Sequence, residues 1–166
     1  MTIRHFAALC LLLLACLAAP RAFAANDCNL VGTASGVNFG TYDPATGTAV
    51  TATGTITVAC TGNRTVTFEL GPGGGSILAR RMTSASGDQL SYNLYLEASN
   101  TTIFGKTGTA GSSGVCTTGA NSPGCVGDNP TGSDKLATRT IYGLIPASQN
   151  VGAGTYTDTI TYTVVF

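Results

Sequence analysis

The chain has 166 residues, with eight basic and eight acidic side chains and no tryptophan. This balance offers no basic field for nucleic acid, so a nucleic-acid-binding role is excluded. Charged residues make up 10% of the sequence and glycines number 22, a composition that favours an exported β protein over a cytosolic enzyme.

An export signal occupies the start of the chain. A short basic start precedes an apolar run over residues 6–19, and residues 22–24 (AFA) have the small-x-small pattern of a signal peptidase site. We expect residues 1–24 to be a Sec signal peptide and residues 25–166 to form one mature domain. The apolar run is shorter than the roughly 20 residues that a membrane-spanning helix needs. Residues 13–16 (LLAC) resemble a lipoprotein cleavage site, but cleavage there would leave the AFA motif unused as a cleavage site.

Cysteine usage agrees with export. Removing the signal peptide discards two of the six cysteines and the single histidine. Four cysteines in an exported chain predict two disulfides with three possible connectivities, and the spacing favours Cys28–Cys60 and Cys116–Cys125. Metal ligation is the rival interpretation, but the mature chain has neither histidine nor a Cys-x-x-Cys pair. We therefore expect no metal and no other cofactor.

The mature chain begins with strand-like patterns. Residues 28–40 (CNLVGTASGVNFG) predict a first strand that two glycines interrupt. Residues 50–60 (VTATGTITVAC) alternate between an apolar face and a row of threonines, which predicts the next strand. Residues 61–63 form a tight turn, so residues 64–70 should return as the antiparallel hairpin partner of that strand.

The middle of the chain predicts shorter strands. A short segment around residues 77–82 leads into residues 90–97, where apolar alternation predicts a strand. We expect a further short strand over residues 101–106, and strand character resumes over residues 138–144. Residues 107–135 contain many glycines, serines and asparagines. We expect them to form a loop that is too polar to bury a face.

The stretch over residues 154–166 (GTYTDTITYTVVF) predicts the last strand. Ile160, Tyr162, Val164 and Phe166 share one face, and mostly threonines occupy the other. An apolar face that continues to the last residue needs a partner strand from earlier in the chain or from another molecule. About seven short strands separated by turn signals predict an antiparallel immunoglobulin-like β-sandwich, with a closed barrel as the alternative.

Catalytic groups are missing from the mature sequence. Without histidine or an unpaired cysteine, Ser-His-Asp and Cys-His sites are excluded, so we expect no enzyme. Glu69 and Glu97 fall opposite the apolar positions of their strands and are interpreted as solvated. The pair Arg80 and Arg81 is interpreted as a solvated edge.

Several segments together resemble one known family. They are VNFGTYD (37–43), ITVAC (56–60), LSYNLY (90–95), IYG (141–143) and above all GTYTDTIT (154–161). With Cys28 they make the mature chain similar to a spore coat protein U domain, the pilin module of the archaic chaperone–usher pathway. The resemblance implies an incomplete immunoglobulin-like sandwich that lacks its final strand. It also implies folding on a periplasmic chaperone, export through an outer-membrane usher and completion by a neighbouring pilin subunit.

The resemblance places the partner-binding site at the open edge of the last strand. Alternate residues Ile160, Tyr162, Val164 and Phe166 would line the groove that accepts a lent strand, because such a strand pairs with the edge and buries the apolar face. The carboxylate of Phe166 would be anchored by basic groups on the chaperone.

One departure from the family concerns the N-terminus. Pilins of this type resemble one another in carrying an apolar N-terminal extension before the first cysteine, whereas cleavage after residue 24 leaves three residues before Cys28. We expect a terminal subunit that accepts a strand without donating one. Earlier cleavage and a domain secreted alone are the other two possibilities. The competing class is a stand-alone coat or carbohydrate-binding module, which would need an aromatic platform for stacking a sugar.

Overall fold

The computed structural model describes residues 28–128 and 134–166, so the predicted signal peptide lies outside the described residues. Ten strands form within these ranges, and none of the helical turns there is long and apolar enough to cross a membrane. In the same ranges a 3-10 turn spans Pro44–Thr46. The strands are β1 (Cys28–Leu30), β2 (Val50–Thr61), β3 (Thr65–Leu70), β4 (Arg80–Ser84), β5 (Gln89–Tyr95), β6 (Gly114–Thr117), β7 (Cys125–Asp128), β8 (Asp134–Ile145), β9 (Tyr156–Thr157) and β10 (Tyr162–Val165).

The strands build two antiparallel sheets. The larger sheet has the order β1-β2-β8-β5-β4-β9, and β7 also pairs with β8, at residues other than those that pair with β5. The smaller sheet has the order β10-β3-β6. Their inward faces share one hydrophobic core that contains Ile56, Val58, Phe68, Phe104 and Ile145, each at most 1% exposed. The predicted all-β sandwich is confirmed. The barrel alternative is wrong, since the described strands form two separate sheets.

Strand β3 joins the smaller sheet, so the predicted hairpin of β2 with residues 64–70 is wrong. Both edges of β2 are already occupied, by β1 and by β8. The turn after β2 is fixed by the buried Thr118, whose Oγ1 accepts from Arg64 N at 2.8 Å and donates to Gly62 O at 2.9 Å. A side chain 54 residues away in the sequence therefore directs the crossing.

Strands β6 and β7 lie inside the segment that was predicted to be a loop, and that prediction is wrong for the described part. β6 pairs with β3 and β7 pairs with β8, and both bury a cysteine. The disulfide Cys116–Cys125 joins these two strands, and Cys28–Cys60 joins directly opposed residues of β1 and β2. The structure thus contains both favoured disulfides. The disulfide between β6 and β7 and the small side chains of this glycine-rich segment allow the two strands to pack one face against the core.

The predicted single last strand is divided between the two sheets. β9 pairs with β4 in the larger sheet, and β10 pairs with β3 in the smaller sheet. Asp158 fixes the crossing between them, because its Oδ1 accepts from Gly74 N at 2.9 Å and from Thr159 N at 2.7 Å. The chain therefore runs along one side of the sandwich and finishes on the other.

Candidate partner-binding groove

A cleft opens between the two sheets beside β10. It has a volume of ≈ 400 Å³, and its walls come from residues 34–37 on one side and from residues between 156 and 162 on the other. Its floor includes Ile56, Leu70 and Leu94, which are at most 4% exposed. The cleft thus reaches down to the hydrophobic core, as expected for a sandwich that lacks a strand.

One backbone edge of β10 faces away from the smaller sheet. Gly71 N donates to Thr161 O at 2.8 Å, so the backbone of Thr161 is bonded toward the β3 side. In an antiparallel pair the bonded residues alternate, so the second and fourth residues after Thr161 also direct their N–H and C=O groups toward β3. The N–H and C=O groups of the residues between them, Tyr162 and Val164, therefore point away from β3. Within the described residues no strand pairs with this edge, so an added strand can satisfy it.

Of the four residues predicted to line the groove, three pack against the core and Phe166 does not. Ile160 and Tyr162 form part of the cleft wall. Val164 is half-buried against the core without lining the cleft, and Phe166 is 56% exposed at the last position. Val165, on the opposite face of β10, is 51% exposed. The structure brings the first two residues together at the cleft and leaves the other two further along the strand.

A partly buried hydrogen bond stabilises the polar part of the cleft wall. The hydroxyl of Tyr92 donates to Oδ2 of Asp158 at 2.6 Å, and both residues line the cleft. Burial and this hydrogen bond raise the pKa of Tyr92 well above its ordinary value, so the phenol remains a donor. The rings of Tyr92 and Phe39 also pack edge to face, with centroids 5.9 Å apart.

Comparison with known proteins identifies the family. The chain matches the model of the Spore Coat Protein U domain over residues 13–163. It belongs to this family. The chain is 36% identical over 143 residues to "Protein U" of Myxococcus xanthus, an alignment that covers 78% of this chain and 71% of that protein.

A solved structure shares the fold of this spore coat protein U domain. It is the crystal structure of a chaperone–tip adhesion subunit pre-assembly complex from archaic chaperone–usher Csu pili of Acinetobacter baumannii, with a TM-score of 0.54 and 22% identity. The match covers 84% of this chain and 40% of that chain. At this identity the likeness shows the fold alone, an immunoglobulin-like sandwich.

Arg80 is buried in this domain, so its interpretation as part of a solvated edge is wrong. Its side chain is 0% exposed and donates to Gly71 O at 2.8 and 3.1 Å, to Asn93 Oδ1 at 2.7 Å and to Phe104 O at 2.8 Å. Burial lowers the pKa of Arg80, although nearby acidic groups oppose the shift. Arg81 is exposed, as predicted. Arg80 therefore links the backbone at Gly71 and Phe104 to strands β4 and β5.

The two glutamates also differ from their predicted solvated state. Glu69 is 9% exposed, accepts from Thr107 N at 3.2 Å and lies 3.9 Å from Lys106 Nζ. Glu97 is half-buried and accepts hydrogen bonds from Thr101 and Thr102. Both carboxylates organise loops. Among the described residues no group of three or more His, Cys, Asp or Glu side chains is placed to hold a metal ion.

Most of the cleft wall opposite β10 was not predicted as part of a site. Val37 and Phe39 alternate in the sequence, which indicates an inward face, but the alternation does not reveal what the face meets. Asp158 reads as a turn residue in GTYTDTIT. Its role depends on Tyr92 and Gly74, which are far from it in the sequence.

Proposed function

We propose that this protein is a structural subunit of a surface pilus or coat and that a strand lent by another protein completes its fold. The observation that carries the proposal is the apolar cleft beside the unpaired edge of β10. A volume of ≈ 400 Å³ has room for about a dozen waters at about 30 Å³ each, but its largely hydrocarbon walls give them few hydrogen-bond partners. An extended peptide segment would satisfy the edge and bury the apolar walls together.

The proposed route follows from the family and the sequence. Membership in the spore coat protein U family and the pilin-type fold support assembly by a periplasmic chaperone, an outer-membrane usher and neighbouring subunits. The predicted signal peptide supports Sec export through the periplasm to a fimbrium at the cell surface or to the medium. No catalytic step is part of this function.

The finer proposal is a terminal position in the fibre. A donor segment needs about ten extended residues at ~3.3 Å each to span a sheet edge, and cleavage after residue 24 leaves three before Cys28. N-terminal mass determination on periplasmic protein, followed by a polymerisation assay after removal of the chaperone, tests this position. A start at residue 25 without self-polymer supports it. A start that retains residues 17–23, with ladders of polymer, contradicts it.

Two aspartate variants on one strand test the groove itself. Val164→Asp places a charge on the inward face of β10, whereas Val165→Asp places it on the exposed face of the same strand. Val164 packs against the core beside the cleft, and an unpaired charge there costs several kcal/mol, so we expect Val164→Asp to lose periplasmic accumulation and chaperone co-purification. Val165→Asp should retain both. Equal behaviour of the two variants contradicts the groove.

A proline variant separates strand pairing from folding. The N–H of Val164 points away from β3, so Val164→Pro removes a donor from the open edge without removing a bond to the smaller sheet. The N–H of Thr163 points toward β3, and Thr163→Pro removes a bond inside the sheet. We expect Val164→Pro to fold yet bind its chaperone more weakly, while Thr163→Pro loses folding as well. A Val164→Pro variant with unchanged chaperone binding would contradict added-strand pairing at this edge.

A further inference from the structure

Two of the six tyrosines lie outside the core. The other four belong to the hydrophobic core or pack against it, and they are Tyr42, Tyr92, Tyr156 and Tyr162. Tyr95 lies directly opposite Tyr142 where β5 pairs with β8, and Tyr142 lies directly opposite Thr53 where β8 pairs with β2. Directly opposed residues of antiparallel strands point to the same face of their sheet. These three side chains therefore form one row on the outer face of the larger sheet.

The hydroxyls of Tyr95 and Tyr142 are available to a ligand. Within the described residues neither hydroxyl makes a hydrogen bond, and both side chains are half-buried. By contrast, the hydroxyl of Tyr156 donates to Gly152 O at 2.6 Å, and that of Tyr92 donates to a carboxylate. The opposed pair thus presents apolar rings that each carry an unused polar group, a combination suited to an amphipathic ligand.

Threonine hydroxyls lie beside this row. Thr55 is opposite Thr140, and Thr57 is opposite Thr138, with 2.9 Å between the hydroxyl oxygens of the second pair. Neighbouring strands are about 4.8 Å apart, and successive outward residues of one strand are about 6.6 Å apart. Rings and hydroxyls are therefore spaced on the scale of a sugar ring. We call the row and these four threonines the tyrosine face.

The tyrosine face is uncharged. The outward positions of β2 from 51 to 57 and of β8 from 138 to 144 are occupied by threonine, tyrosine and leucine. Glu97, two residues after Tyr95, is the next charged residue along the chain on the β5 side. A stacked single-stranded nucleic acid needs cations beside the rings, and an anionic glycan would be repelled by the carboxylate of Glu97. The charge distribution therefore favours a neutral ligand.

We propose that the tyrosine face binds a neutral glycan, with pyranose rings over Tyr95 and Tyr142 and sugar hydroxyls bonded to the threonines. A pyranose ring has an apolar C–H face and a rim of hydroxyls, so it matches aromatic rings flanked by hydroxyls. This activity is separate from the proposed function, because the tyrosine face lies outside the larger sheet whereas the cleft opens between the two sheets. The two sites can therefore be tested independently.

Binding of neutral oligosaccharides to the full chain tests the proposal. The probes are immobilised oligomers of glucose, mannose, galactose and N-acetylglucosamine, with oligogalacturonate as the anionic comparison. We expect saturable binding to at least one neutral oligomer and binding to oligogalacturonate that is about tenfold weaker or less. Binding to none of the neutral oligomers, or tighter binding to oligogalacturonate, overturns the inference. Neither result bears on strand pairing at β10.

NMR of protein labelled on its tyrosine rings locates the bound glycan. The signals of Tyr95 and Tyr142 should shift as the oligomer is added, while the signals of the four tyrosines in or against the core stay in place. Shifts confined to the core tyrosines would place the glycan in the cleft and overturn the assigned site.

Alanine variants measure the contribution of each ring. Tyr95→Ala and Tyr142→Ala should each lower the affinity about tenfold or more, because tyrosines at the centre of an interface carry much of its binding energy. Tyr142→Phe retains the ring and should lose less. Val115→Ala truncates a side chain that is 53% exposed on β6 in the smaller sheet, and it should leave the affinity unchanged. Equal affinities of Tyr142→Ala and the unchanged protein overturn the inference.

A gain of binding tests the same face without relying on a loss. Thr53 is exposed beside Tyr142, so Thr53→Trp adds a third ring to the row. The protein contains no tryptophan, and the emission of the new ring therefore reports on its surroundings alone. We expect tighter binding and a changed emission when the oligomer is added, and neither effect for Val115→Trp on the other sheet. Thr53→Trp with unchanged affinity and unchanged emission overturns the inference.

Sedimentation separates a glycan from a second copy of the chain as the occupant. If the tyrosine face packed against a second copy, the protein would dimerise without glycan and Tyr142→Ala would restore the monomer. That result overturns the inference. Sedimentation that is the same for Tyr142→Ala and the unchanged protein, together with glycan binding by the latter alone, supports it.

Discussion

The hydroxyl of Tyr92 donates a hydrogen bond of 2.6 Å to Oδ2 of Asp158, the residue at which the chain leaves the larger sheet for the smaller one. Tyr92 belongs to β5, near the middle of the larger sheet. The same carboxylate accepts from Gly74 N, so it joins three segments at one point in the groove wall. The position of β10, and therefore the width of the cleft beside it, depends on this bond.

Tyr92→Phe should destabilise the protein while it preserves the ring contact with Phe39. Loss of a hydrogen bond to a carboxylate costs about 1.5–3 kcal/mol, and the apolar packing is unchanged. Urea unfolding measures the difference. Tyr142→Phe, which alters a half-buried ring on β8, should change the unfolding free energy by less than about 0.5 kcal/mol. Equal effects of the two changes would contradict a special role for the bond to Asp158.

Gly73→Ala should be far more damaging than Gly47→Ala, although both glycines have a φ of +64°. A Cβ at Gly73 would lie 2.5 Å from Ile160 Cδ1 and would also collide with Asp158, whereas a Cβ at Gly47 meets nothing within 4 Å. The backbone strain is common to both variants. We expect Gly73→Ala to cost about 1–3 kcal/mol more because it displaces the groove wall. Chemical denaturation of the two variants measures the loss of unfolding free energy. Equal losses would show that Ile160 and Asp158 move aside without a free-energy cost.

Arg80→Lys should destabilise strongly, and Arg81→Lys should be nearly neutral. A lysine ammonium cannot reproduce the planar fork that binds the carbonyls of Gly71 and Phe104 and the side chain of Asn93. Buried acceptors would then lose their donors, at about 2–4 kcal/mol in total. Thermal unfolding of the two adjacent variants makes the comparison. A small effect at position 80 would mean that water replaces the lost contacts.

The two disulfides should differ in their contributions to stability. In the chain-entropy model, a sequence separation of 32 for Cys28–Cys60 corresponds to about 3.7 kcal/mol, and a separation of 9 for Cys116–Cys125 to about 2.6 kcal/mol. Paired Cys→Ala variants of each bridge, compared by urea unfolding, measure the order. Non-reducing peptide mapping that links Cys60 to Cys116 would contradict the pairing.

Acid should weaken the protein partly through Glu97. Burial acts to raise the pKa of Glu97, but hydrogen bonds from Thr101 and Thr102 outweigh it and hold the pKa below its ordinary value. This contribution is therefore complete above the unfolded pKa of about 4.3 and is lost as the pH falls through the lower folded pKa. Glu97→Gln should show a smaller decline in thermal midpoint between pH 6 and pH 3. If the thermal midpoints of the variant and the unchanged protein decline in parallel, Glu97 does not contribute to the acid sensitivity.

The periodic parts of the fold were predictable, and the parts set by distant contacts were not. Alternation in residues 50–60 and 138–144 defined β2 and β8, because each strand buries one face. The crossing after β2 was missed because Thr118, which fixes it, belongs to another part of the sequence. The inward direction of Ile160 and Tyr162 followed from period two. The opposite wall of the groove required the tertiary structure.

The pairing of β10 with β3 also bears on how quickly the protein can fold. Val164 lies opposite Phe68, and Val50 lies opposite Ile145, so both sheets close through contacts between distant parts of the chain. Loops of this length must be ordered before such contacts form, and proteins dominated by non-local pairings fold slowly, over milliseconds to seconds. The smaller sheet cannot be completed until β10 reaches β3. Until then the chain exposes unpaired strand edges, which can pair with another strand or aggregate.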